Sequence, residues 1–179
     1  MIFSPDTAGI ALPVILFLAL LLDAVVGEFG SLFRVLPHPV ALLGGLTGWF
    51  DSRLNRENRS ARTRFVRGLV VAVLMIVLAV AIGWGLHDLA RLFPQGWIIE
   101  WVAVTFLIAQ RSLFDHVRAV AWVLDRDGLK EGRAAVAMIV GRDPDTLDEH
   151  GVSRAAIESL AESFADGVVA PVFWYLLFG

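Results

Sequence analysis

Long apolar runs alternating with short, sharply charged stretches dominate this chain. Residues 9–26 carry no charge before Asp23 and are long enough to predict a membrane-crossing helix. Nothing basic precedes them and no small-residue cleavage site follows, so they read as a retained span rather than a signal peptide. Residues 28–39 are rich in turn formers. Residues 39–50 are apolar but short, with glycines at 44, 45 and 48, which predicts a re-entrant or interfacial segment. Residues 51–67 reverse that character, with arginines at 53, 56, 59, 62, 64 and 67 and the interfacial aromatics Trp49 and Phe50 at their edge. Residues 68–86 hold no charge and are the clearest span. Residues 97–109 predict a further one, interrupted by Glu100 and flanked by Trp97 and Trp101.

After Gln110 the period becomes amphipathic. Leu113, Val117, Val120 and Leu124 share one helical face, with Asp115, Arg118 and Asp125 off it. Asp127-Gly128 signals a turn, and residues 129–140 a short helix stopped by Gly141. Thr146 and Glu149 match a capping box, and Ser153 is placed to cap the following helix. On that helix Arg154, Glu158, Glu162 and Asp166 recur at every fourth residue, forming one polar stripe. The stripe runs straight into residues 167–179, which are apolar but too short to cross a bilayer unaided.

Composition supports this reading. Hydrophobic residues make up 57% and charged residues 18% of the chain, and the mean hydropathy is +0.69, outside the usual soluble balance. The expected fold class is all-α: a polytopic integral membrane protein with about three to four apolar segments and amphipathic cytoplasmic helices, as a single domain over residues 1–179. With residues 9–26, 68–86 and 97–109 as spans, every Lys and Arg except Arg91 falls on one side, which predicts that the charged regions face the cytoplasm. A net charge of −3 gives no reason to expect nucleic acid. The absence of cysteine excludes disulfides, thiolate zinc sites and cysteine nucleophiles.

Several groups are candidates for chemistry. The arginine cluster suits a phosphate or other anion, or else sets topology and meets anionic headgroups. His38, held between Pro37 and Pro39, could act with Glu28 as acid and base, or be incidental. Ser112 and His116 share a helical face as a nucleophile–base pair would, although nothing supplies an oxyanion hole; the alternative is a polar helix at the interface. Glu158, Glu162 and Asp166 are the strongest set: three carboxylates able to coordinate Mg²⁺, with Arg142 and Arg154 to meet an anionic substrate. The alternative is a solvated face with an Arg154–Glu158 ion pair. There is no P-loop, GxGxxG or HExxH.

The motifs taken together resemble a known family. Asp23…Gly27-Glu28, His38-Pro39-Val40 with Gly44, and Asn55 with the arginine run are similar to the opening of the CobD/CbiB family, the adenosylcobinamide-phosphate synthases of cobalamin biosynthesis. The likeness continues through Ser112-Leu113…His116, Gly132-Arg133-Ala134-Ala135-Val136 and Val140-Gly141-Arg142-Asp143. It is closest in RAAIESLAE at 154–162 and DGVVAP at 166–171, followed by Phe173-Trp174.

The resemblance implies an inner-membrane, multi-pass enzyme that joins a propionate of (adenosyl)cobyric acid to aminopropanol or its phosphate. It assigns Glu28 and His38 to the site near the first span, and Arg142, Asp143, Glu158, Glu162 and Asp166 to a polar core. The reaction type implies ATP and Mg²⁺. Partners implied are a corrinoid and membrane lipid. The chain departs from the family at Phe29 and Ser163, and it stops before an Asn-Thr-x-Asp-Ser-Met motif that members carry. The expectation is therefore an N-terminal portion, completed by a second polypeptide or by another copy, with a non-catalytic membrane protein of interaction or regulatory role as the alternative.

Overall fold

A computed structural model describes residues 10–27, 39–56, 58–141 and 143–179. Its elements are all helical: α1 (Leu12–Val26), α2 (Pro39–Leu54), α3 (Ala61–Arg91), α4 (Trp97–Leu107), α5 (Gln110–Arg126), α6 (Leu129–Val136), α7 (Glu149–Phe164), a π-turn (Ala165–Val169) and α8 (Ala170–Phe178). Three stretches are long and apolar enough to cross a membrane: Ala61–Arg91, Trp97–Arg126 and Glu149–Phe178. The all-α membrane fold expected from the apolar rhythm is the one observed.

The chain divides into two compact units, one of residues 1–28 and 101–179, the other of residues 29–100. In the second, α2 packs along the start of α3. Ser60 caps α3 by accepting from the Thr63 N–H at 3.3 Å. None of the apolar window of α3 is buried, as suits a helix whose solvent is lipid. The segment at 39–50 is helical, forming the body of α2, which also takes in Asp51 and Arg53. Arg62, Arg64 and Arg67 lie on the first turns of α3, so the arginine run is largely helical.

In the first unit α5, α6 and α7 close a small core of Val120, Val136, Val152, Ala155 and Ala156, with Leu124, Ile139 and Leu147 packed against it. Val120 and Leu124 belong to the apolar face expected of α5, and Asp115, Arg118 and Asp125 stay exposed. Arg133 Nε donates to the Leu147 carbonyl at 2.7 Å, and Ser159 Oγ to the Ile139 carbonyl, fastening α7 to the segments around α6.

Two sequence expectations need correction here. At 15 residues α1 is shorter than a span; at about 1.5 Å per residue it falls short of a hydrocarbon core roughly 30 Å thick. Neither Ser153 nor a Thr146–Glu149 box starts α7. Asp148 does, its Oδ1 accepting from Gly151 N at 2.7 Å, and Ser153 lies inside the helix with its hydroxyl on the Glu149 carbonyl. The apolar end at 167–179 follows directly on the polar stripe, in keeping with the sequence pattern. Through the π-turn it continues α7 into one run, Glu149–Phe178.

Candidate functional site

Two irregularities meet in the first unit. Helix α4 ends at Leu107 and α5 begins at Gln110, leaving Ile108 and Ala109 outside regular helix. Facing that break is the π-turn. The Ala109 N–H donates to the Gly167 carbonyl at 3.0 Å, so one interrupted helix is bonded main chain to main chain to the other. A Cβ on Gly167 would lie 3.3 Å from the Ala109 Cβ, a close approach that a larger side chain would disturb. π-Turns recur at functional sites because they re-aim the residues on them. Asp166 stands on this one.

The end of α1 completes the junction. Asp23 is only 4% exposed, and its Oδ2 accepts from the Arg111 N–H at 3.0 Å. Ala109, the N-cap residue of α5, makes no side-chain cap bond; Asp23 supplies that acceptor from another helix, with its charge at the positive end of the helix dipole. Gln110 Nε2 donates to the Leu20 carbonyl, and Arg111 Nη1 to the Ala24 carbonyl at 3.2 Å. Arg111 Nε also pairs with Asp115 Oδ2 at 2.8 Å. The stem of Arg111 crosses Gly27, where a Cβ would come within 2.7 Å of the Arg111 Cγ and φ is +67°. Only glycine suits that position.

Around this junction the sequence candidates are distributed unevenly. Arg154, Glu158, Glu162 and Asp166 are exposed, whereas Val152, Ala155 and Ala156 of α7 are buried. Among the described residues no three His, Asp or Glu side chains form a group able to hold a metal ion. The carboxylate triad expected to bind Mg²⁺ is therefore a row along a helix, not a ligand cage.

The other candidates divide as follows. Asp143 Oδ1 accepts from the Asp145 N–H at 2.9 Å, an Asx-turn that shapes the loop before α7. Ser112 and His116 are neighbours, but the His116 Nδ1 lies 2.7 Å from the Ser112 carbonyl oxygen and 3.4 Å from its Oγ. A carbonyl only accepts, so Nδ1 carries the proton and cannot draw one from the serine hydroxyl. Glu28, His38 and Arg142 lie outside the described residues. Asp23, Gln110 and Arg111, which meet at this junction, were not among the candidates for chemistry, although Asp23 opens the family-like motif and is an acid within an otherwise apolar run.

The geometry thus defines a helical membrane protein in which broken helices bring polar groups to the end of an apolar one. The family model described as CobD/Cbib protein matches residues 16–179, and the chain belongs to that family. It is 54% identical over 166 residues to a Cobalamin biosynthesis protein CobD of Sinorhizobium sp, covering 92% of this chain and 51% of that one. A protein of the same name from Brucella anthropi is 47% identical, over 93% of this chain and 51% of its own. One from Rhodobacter capsulatus is 40% identical, over 86% and 48%. The chain spans about half the length of these curated relatives. No solved structure matches it.

Proposed function

We propose that the chain serves cobalamin biosynthesis at the inner membrane, its charged loops in the cytoplasm, in the step that forms an amide between a propionate of (adenosyl)cobyric acid and aminopropanol or its phosphate. Family membership supports the pathway. The structural observation that carries the site is the exposed carboxylate face of Glu158, Glu162 and Asp166, ending on the π-turn.

Amide formation from an acid and an ammonium group has two requirements. The carboxylate must be activated, and the amine must shed a proton as its nitrogen attacks. In this reading Glu162 and Asp166 receive the ammonium by charge-assisted hydrogen bonds and accept that proton. Arg154 and Arg142 hold the anionic partner, whether propionate or phosphate, and Ser112 and His116 meet the corrinoid periphery. Glu28 and His38 belong to the same site by family resemblance. Activation by ATP is what the reaction class calls for, giving an acyl phosphate; nitrogen attack then forms the C–N bond and expels phosphate. Among the described residues Glu158, Glu162 and Asp166 form no cage of their own for Mg²⁺. A second polypeptide, or another copy of this chain, completes the site.

The test is complementation. In a strain lacking its corrinoid amide synthase and supplied with cobyric acid, the chain, alone or co-expressed with the remaining half of a relative, yields cobinamide. Glu162→Gln and Asp166→Asn each lower the yield by about 100-fold or more, the usual scale for losing a proton acceptor. No product in either pairing, with the protein verified in the membrane, favours the non-catalytic reading instead.

A further inference from the structure

Between α2 and α3, within the second unit, lies an open groove of about 690 Å³. Leu54, Phe65, Val71 and Met75 give it an apolar floor, and Arg64 and Arg67 stand at one end. On α3 the positions 64, 67, 71 and 75 follow each other at helical spacing, so charge and apolar surface form a single stripe. That stripe is about 16 Å long at 1.5 Å per residue. Its arginine end coincides with the start of the apolar run, where a headgroup layer would lie. On α2 the Arg53 guanidinium lies 5.4 Å from the ring centre of Trp49, an aromatic of the kind found at membrane interfaces.

We propose that this groove binds one anionic phospholipid, the phosphate on Arg64 and Arg67 and an acyl chain along Val71 and Met75. The charges are free to serve. The Arg64 guanidinium has no hydrogen-bonding or ion-pair partner among the described residues; only its backbone N–H is engaged, on the Ser60 carbonyl at 3.0 Å. Arg67 spends one donor on the Leu54 carbonyl, at 3.4 Å, and keeps the rest. The acid in the groove, Asp51, already accepts from Asn55 Nδ2 at 2.9 Å. A small anion would use the arginines and leave the apolar floor wet; a zwitterionic lipid would bring its own cation against them. Only a lipid of net negative charge satisfies both halves. The site is independent of the proposed amide chemistry.

Native mass spectrometry of the whole chain in neutral detergent, with equimolar phosphatidylglycerol and phosphatidylcholine, tests this. Phosphatidylglycerol is expected to be retained preferentially. Each of Arg64→Gln and Arg67→Gln lowers its retention about fivefold and the pair about twentyfold, the scale of one juxtamembrane arginine each. Arg118→Gln on α5 leaves it unchanged. Equal retention of the two lipids by the unaltered chain overturns the proposal. So does displacement of phosphatidylglycerol by millimolar inorganic phosphate, which would mark a small-anion site. Both readouts use the native sequence, so an arginine variant that failed to fold would not protect the idea.

Discussion

Ala109 has no side chain able to accept a hydrogen bond, so the first turn of α5 is capped by a carboxylate arriving from α1. Removing that acceptor leaves a buried N–H unsatisfied. Asp23→Ala is expected to cost roughly 1–2 kcal/mol, read as a fall in thermal unfolding temperature in detergent. Asp23→Asn retains an oxygen acceptor and is expected to lose less than half as much. An equal loss for both would mean that the charge, through the helix dipole, matters more than the hydrogen bond. The sequence could show that an acid stood in an apolar run but not what it met, because Arg111 is 88 residues away. His116 was a different case: its spacing from Ser112 was legible, whereas the direction of its proton was a matter of local geometry.

At the scale of elements, the amphipathic face of α5 was plain from its period, and the core confirms Val120 and Leu124 on it. The path from α7 to α8 was not. Gly151 lies inside α7, where glycine costs a helix only about 1 kcal/mol, and Asp148 bonds to that very residue. The π-turn leaves no periodic trace in five residues. Its consequence can be tested by deleting Ala165, which would restore a regular α-helix and rotate α8 by about 100° against its neighbours. Tyr175, the buried residue of α8, would leave its place. The expected outcome is protein that reaches the membrane but shows sharply increased trypsin sensitivity and a broadened size-exclusion profile. Native-like resistance would show that the turn is dispensable to packing.

Over the whole molecule, the asymmetry of basic residues is a statement about sidedness that single-cysteine labelling can check, helped by a chain with no cysteine of its own. Arg59 precedes the Ala61–Arg91 stretch and Lys130 follows Trp97–Arg126, with Arg91 between the two crossings. Arg59→Cys and Lys130→Cys are expected to react with an impermeant maleimide only in inverted vesicles, and Arg91→Cys only from the periplasmic face. Opposite behaviour of Arg59→Cys and Lys130→Cys would break the proposed topology. The membrane character was legible from composition. The position of the carboxylates relative to the membrane was not, because it depends on α7 and α8 being one helical run. Any eighteen-residue window long enough to span at its apolar end includes Glu162 and Asp166, and ionisable groups at such depth are seldom there without a function.

The bond from Ala109 to Gly167 involves no side-chain atom. Substitution elsewhere on either helix can change charge, polarity or shape without touching the donor or the acceptor. What the joint demands of its two positions is small size, so that the main chains can draw together. Variants at 109 and 167 should therefore be sorted by volume rather than by chemical character, with serine at either place tolerated far better than leucine. A joint of this kind lets the chemistry on its flanks diverge while the alignment of the two helices stays fixed.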